Sequence, residues 1–134
     1  MHVFLVRHAH SDPGDPDDLR PLSSRGRDEA RALAERLAGH ETPPRVVVSS
    51  PLLRARETAE SISEATSAEL RVDERLAPGA TLELLREALD GVGEPAASIG
   101  HQPDCSEIAI ALTGSDPGFP TGGVVEVELD QASG

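Results

Sequence analysis

Three short stretches of the chain place charged or nucleophilic side chains directly after apolar runs. The first is Arg7-His8-Ala9-His10, which follows Val3–Val6. The second is Ser49-Ser50-Pro51-Leu52-Leu53-Arg54-Ala55, which follows Val46-Val47-Val48. The third is Gly100-His101-Gln102-Pro103, which follows Ala96–Ile99. Two guanidinium groups offer planar forks of donors that match phosphate oxygens and stay charged at any working pH. Helix N-termini after Ser50 and His101 would add backbone N–H donors and a partial positive charge. An imidazole held neutral in such a pocket can attack phosphorus in line. Phosphoryl transfer depends chiefly on positioning and charge stabilisation. The expected site is therefore His8 and His101 as catalytic groups with Arg7 and Arg54 binding the substrate.

For these stretches to meet, the apolar runs must be neighbouring strands of one sheet, since ligands gather at the carboxyl ends of strands in open α/β sheets. The pattern supports this. Val3–Val6, Val46–Val48 and Ala96–Ile99 read as buried strands, and Leu70–Val72 as a short extended piece. Val124–Leu129 alternates apolar with acidic residues, as a half-exposed last strand should. Between them, Ser23 or Ser24 caps a helix running to about Leu37, with Ala30, Leu33, Ala34 and Leu37 on one face and Gly39 as its stop. Pro51 is expected to open a second helix in its first turn. Further helices are expected over Leu82–Leu89 and from Pro103 to Gly114. Residues 11 to 21, rich in Asp, Pro and Ser, read as a solvated loop. The expected fold is α/β, a three-layer sandwich with a mostly parallel central sheet flanked by helices, formed as one domain over residues 1–134.

Composition narrows the partners. The 134 residues carry 24 Asp and Glu against 12 basic residues, all of them arginine, for a formal net charge of −12. Such a surface repels nucleic acid and anionic membranes, so neither is an expected partner, and no apolar run approaches a membrane span. The acidic excess also suits a protein working at high salt. One cysteine, Cys105, excludes an internal disulfide and fits a cytoplasmic location. In an apolar helix it reads as buried filler, while His2 and His40 read as terminal or surface residues.

The same stretches resemble the histidine phosphatase superfamily, which also contains the cofactor-dependent phosphoglycerate mutases. Arg7-His8-Ala9 is similar to its strand-one signature Arg-His-Gly, and Ser50-Pro51-Leu52-Leu53-Arg54-Ala55-Arg56-Glu57-Thr58-Ala59 to its second signature. The Leu22-Ser23 to Gly26 helix start and the late Gly100-His101 match in order. The length and the Leu76-Ala77-Pro78 region resemble the short branch typified by bacterial phosphohistidine phosphatases. The resemblance implies that His8 is the phosphorylated nucleophile, that Arg7, Arg54 and His101 grip the phosphoryl oxygens, and that no cofactor is needed. The substrate it implies is a phosphorylated protein or a small-molecule phosphate ester.

Three departures bear on chemistry. Ala9 replaces the glycine and puts a methyl where the backbone is bare in the family. His10 either adds a phosphate contact or points into solvent. The general acid of larger members has no clear counterpart, because Pro78 stands at its place and only Asp73 and Glu74 lie nearby. Without an acid, an alkoxide leaving group is disfavoured and a phosphoramidate or acyl phosphate is not. Two rival readings remain: a metal site on His8 and His10 completed by Asp12, His101 or Asp104, and a catalytically weak phospho-ligand binding domain.

Overall fold

The computed structural model describes residues 1–130. Five strands form one sheet: β1 (His2–Arg7), β2 (Val46–Ser49), β3 (Glu69–Val72), β4 (Ala96–Gly100) and β5 (Val124–Glu128). Their order is β3-β2-β4-β1-β5. All neighbouring pairs are parallel except β1 with β5, which is antiparallel. Helices α1 (Ser24–Ala38), α2 (Leu53–Thr66), α3 (Leu82–Leu89) and α4 (Asp104–Thr113) supply the outer layers.

The alternation along β1 explains the two cores. Val3 and Leu5 pack with Leu85 and Leu89 of α3 and Ile108 and Ala109 of α4. Phe4 and Val6 face the other way, against Leu33 and Leu37 of α1 and Ala55, Ala59 and Ile62 of α2. A strand buried on both faces has no polar side to show, which is why its sequence reads as an unbroken apolar run. The three-layer α/β architecture expected from the sequence is thus the one observed. β3 is exposed along its whole length, as an edge strand, and carries Glu69 and Arg71 on that edge.

The register carries the functional consequence. Arg7 pairs with Gly100, and Ser49 pairs with Ile99, so β1, β2 and β4 end at the same level. Two further bonds carry the alignment past the strands: His8 N–H to Gly100 O at 3.0 Å, and Ser50 N–H to Ile99 O at 3.0 Å. His8, Ser50 and His101 are consequently brought side by side from three distant parts of the chain.

Two local expectations need revision. The second helix begins at Leu53, not Pro51, because Leu52 is extended and forms the N-cap. The Leu52 amide instead donates to Ser50 Oγ at 3.3 Å, so Ser50 and Pro51 shape the turn into the helix. The loop of residues 11 to 21 is mostly exposed but not featureless. It contains a 3-10 turn, Asp17–Leu19, and Arg20 Nη1 gathers it by donating to Asp12 O at 3.0 Å.

Gly26 shows why a residue with poor helix propensity sits in α1. A β-carbon there would lie 1.9 Å from the His10 carbonyl oxygen, which is backbone and cannot move away alone. That carbonyl is already held by Ser23, whose side chain caps α1 by accepting from the Gly26 amide at 3.0 Å. Helix propensity alone predicts that Gly26→Ala stabilises the protein by about 1 kcal/mol. The close approach predicts the reverse, a loss of roughly 2–3 kcal/mol in urea denaturation, and an unchanged or raised midpoint would contradict this account of the α1 entry.

Candidate active site

The carboxyl edge of the sheet opens into a cleft of about 400 Å³ whose lining includes Arg7, His8, His10, Asp17, Arg20, Arg54, Pro78 and His101. All four expected site residues are present. A larger groove of about 540 Å³ runs between α1 and α2, but it is lined by Arg27, Arg31 and several glutamates and contains none of the four expected site residues.

His8 directly follows β1 and is half-buried. Its Nδ1 lies 2.7 Å from the Ala9 carbonyl oxygen, which can only accept, so Nδ1 carries the proton and the neutral ring leaves Nε2 bare. Burial pushes the pKa of His8 down to about 4, with Arg54, Arg7 and Arg20 adding to the shift and the Ala9 bond opposing it. A neutral imidazole with a bare Nε2 is the form a nucleophile requires. The backbone around it is pinned: the Ala9 amide donates to Thr58 Oγ1 at 3.0 Å, and Thr58 donates to Arg54 O at 2.8 Å.

His101, at the C-terminal end of β4, is only 4 % exposed. Its Nε2 is 2.7 Å from Ser50 Oγ, and that hydroxyl oxygen already accepts from the Leu52 amide. The hydroxyl proton is then best used toward Nε2, which puts the ring proton on Nδ1 as a donor. Burial, followed by His8 and Arg54, pushes the pKa of His101 down to about 3. The rings of His8 and His101 lie 5.1 Å apart between centroids, tilted by 55°.

Each arginine is steered by a carbonyl. Arg7 Nη1 donates to Phe119 O at 2.8 Å, reaching the segment that precedes β5. Arg54, in the first turn of α2 and 6 % exposed, donates from Nη1 to Asp17 O at 2.9 Å. Its Nη2 is 3.3 Å from the Asp17 carboxylate. Among the described residues, four buried side-chain polar atoms have no partner, and three of them are Arg7 Nε, Arg54 Nε and His101 Nδ1. Orphaned buried donors are costly, and three from cleft-lining residues fit a site that awaits an anion.

Several departures now have a structural answer. Ala9 has no positive φ, and its methyl packs against Leu22 and Ala30, so the missing glycine costs nothing. His10 lines the cleft, but its Nδ1 is held by Ser23 Oγ at 2.6 Å, and its amide by Glu29 at 2.8 Å. Asp73 is turned away, capping a 3-10 turn and pairing with Arg75 at 2.7 Å, and Glu74 is likewise outside the cleft lining. Pro78 does line the cleft. Asp104 accepts from the Gly79 and Ala80 amides at 2.9 and 3.0 Å, which fixes the loop bearing Pro78 rather than a cation. Among the described residues, no group of three or more His, Cys, Asp or Glu is placed to hold a metal ion. Cys105 is buried, with its thiol pushed up to about 12 by that burial, as a filler residue should be.

Sequence reasoning missed Asp17, Arg20, Ser50 and Thr58. Ser50 and Thr58 stood within the second motif without a role. Arg20 was the one basic residue in an acidic loop, a signal that gained meaning only from its contacts.

The two depressed histidines make stability depend on pH. In the unfolded chain both imidazoles protonate near pH 6.5, whereas in the folded protein they do so only near 4 and 3. Between those limits the unfolded state binds more protons, so stability falls as pH drops from about 6.5 to about 4. Urea titrations should show this decline in the wild type and a flatter profile in a His8→Gln/His101→Gln double variant. Equal slopes would contradict the burial of neutral imidazoles.

Comparison with known proteins agrees with this geometry. Residues 3–78 match the model of the histidine phosphatase superfamily, branch 1. The chain is 31 % identical to the phosphohistidine phosphatase SixA of Escherichia coli over 98 % of its length and 88 % of that protein. It superposes on a structure of the protein histidine phosphatase SixA complexed with tungstate with a TM-score of 0.86 and 28 % identity, covering 98 % of this chain and 90 % of that one. A mycobacterial glucosyl-3-phosphoglycerate phosphatase shares the fold at 21 % identity, with a TM-score of 0.69 and coverage of 98 % and 99 %. The chain belongs to the histidine phosphatase superfamily and is a phosphatase of the histidine-nucleophile kind.

Proposed function

We propose that this phosphatase hydrolyses protein phosphohistidine, or a phosphoryl group on a comparably good leaving group, through a phosphohistidine intermediate on His8. The observation that carries the reading is the pairing of a bare, neutral His8 Nε2 with orphaned donors on Arg7, Arg54 and His101. In the first step Nε2 attacks phosphorus in line, the bond to the leaving group breaks, and Arg7, Arg54 and His101 take up charge on the three equatorial oxygens. In the second step water attacks the phosphorus of phospho-His8, and the phosphorus–nitrogen bond breaks with return of neutral imidazole. Inorganic phosphate leaves.

The leaving group decides the substrate class. Among the described residues Asp17 is the one carboxylate lining the cleft, and Arg54, followed by Arg20, holds it below the usual carboxylate range. It is ionised at working pH and has no proton to give. Without an acid, expulsion of an alkoxide is slow, while an imidazole leaves readily because its conjugate acid has a pKa near 6.5. The match to a phosphohistidine phosphatase over nearly the whole of both chains supports the same choice.

The test is the ratio of kcat/KM for a phosphohistidine peptide to that for glycerol phosphate. The expected ratio is at least ~100, in line with the rate contribution of a general acid, with both rates falling at least ~1000-fold in His8→Ala. Equal turnover of the two substrates would defeat the leaving-group argument. Binding of both without turnover would favour a phospho-ligand binding domain.

A further inference from the structure

We propose that Asp17 is an internal competitor for the phosphoryl site: its carboxylate occupies Arg54 in the free protein and withdraws when a phosphoryl group binds. By doing so it sets how tightly the site holds compact oxyanions, the product phosphate among them. The proposal rests on the assignment of Arg54 to the phosphoryl group made above.

The carboxylate has the contacts of a bound anion. One oxygen, Oδ2, lies 3.3 Å from Arg54 Nη2, and the other, Oδ1, accepts from Arg20 Nε at 2.9 Å. Both guanidiniums belong to the cleft lining. A tetrahedral oxyanion brought to Arg54 meets the same donors and carries more charge, so the two anions exclude each other.

The pair is also asymmetric in a way that suits exchange. Arg54 is held at the base of α2 with its side chain 7 % exposed, whereas the Asp17 side chain is 66 % exposed. The 3-10 turn Asp17–Leu19 buries no residue, so the carboxylate is not locked in place by burial. Withdrawal leaves the bond from Arg54 Nη1 to the Asp17 carbonyl available, and the guanidinium keeps its orientation when the carboxylate departs. The fixed partner is the cation and the movable one is the anion.

This arrangement lowers apparent affinity by the fraction of molecules in which Arg54 is already occupied. The factor is the same for every oxyanion that needs Arg54, free or carried on a protein. A phosphoryl group presented on a protein brings contacts outside the cleft and stays bound where free phosphate does not. Asp17 therefore tunes how strongly the site retains oxyanions and helps product leave.

The experiment is calorimetric titration of the intact protein with tungstate at one fixed low ionic strength, comparing wild type, Asp17→Asn, Asp17→Glu and Asp18→Asn. Asp17→Asn should tighten tungstate binding roughly three- to tenfold, the range expected for loss of an exposed ion pair that competes directly. Asp17→Glu should stay nearer the wild type. Asp18→Asn removes the same unit of charge from the same turn but no bond to Arg54, and it should change the dissociation constant by less than about twofold, since an exposed charge outside direct contact is screened. An Asp17→Asn protein that binds tungstate no better than wild type, or worse, would overturn the proposal; weaker binding would make Asp17 a scaffold for Arg54. Thermal melts of each variant separate a folding defect from a binding effect. Arg54→Lys is the check on the underlying assignment and should weaken tungstate binding. If it does not, Arg54 is not the phosphoryl ligand and both readings fall.

Discussion

Like charges held together in one cleft are the constraint from which the rest of this structure follows. Arg7, Arg20 and Arg54 line one cleft beside two uncharged imidazoles. In an otherwise acidic protein the repulsion among them is met locally, mostly by main-chain carbonyls. Phe119 O holds Arg7, Asp17 O holds Arg54, and Asp12 O holds Arg20. Carbonyl dipoles orient a guanidinium without neutralising it, so the positive potential of the cleft survives. The segments that supply those carbonyls, 11 to 21 and 119 to 123, have to wrap back over the sheet edge. Glu29 ties the two together by accepting from the His10 amide and from Thr121 Oγ1.

The same field governs the histidines. Burial is the main reason His8 and His101 stay neutral, and the nearby cations reinforce it. Had a carboxylate oriented His8, its imidazolium form would be favoured and no bare ring nitrogen would remain. A backbone carbonyl fixes the tautomer with far less bias toward the charged form. The cleft therefore combines strong anion attraction with an unprotonated imidazole, and the same cations favour both. On the proposed reading, a leaving group that needs no proton suits this cleft.

Much of this was legible in the sequence because the signals were local. Val3–Val6 and Val46–Val48 are apolar on both faces, and polar residues that follow such runs must lie at a strand end. His8, Arg54 and His101 were singled out by their place after such runs and by the resemblance to the family signatures. What stayed hidden depended on contacts between distant residues. The Asp–Pro–Gly composition of residues 11 to 21 describes exposure correctly, yet it does not reveal that Asp17 reaches Arg54, 37 positions away. Gly26 looks like a weak point in α1 until the His10 carbonyl is placed against it. The start of α2 was displaced by two residues because Ser50 and Pro51 serve the turn before the helix, where Ser50 also meets His101.

The account stands on His8 becoming phosphorylated during turnover. Rapid acid-free quenching of the enzyme with a phosphohistidine peptide, followed by peptide mapping under alkaline conditions, tests this directly. The account predicts a transient, acid-labile phosphoryl group on the peptide containing His8, formed and discharged at rates compatible with turnover. Steady release of phosphate with His8 unmodified throughout, and the label on another residue or on none, would contradict it.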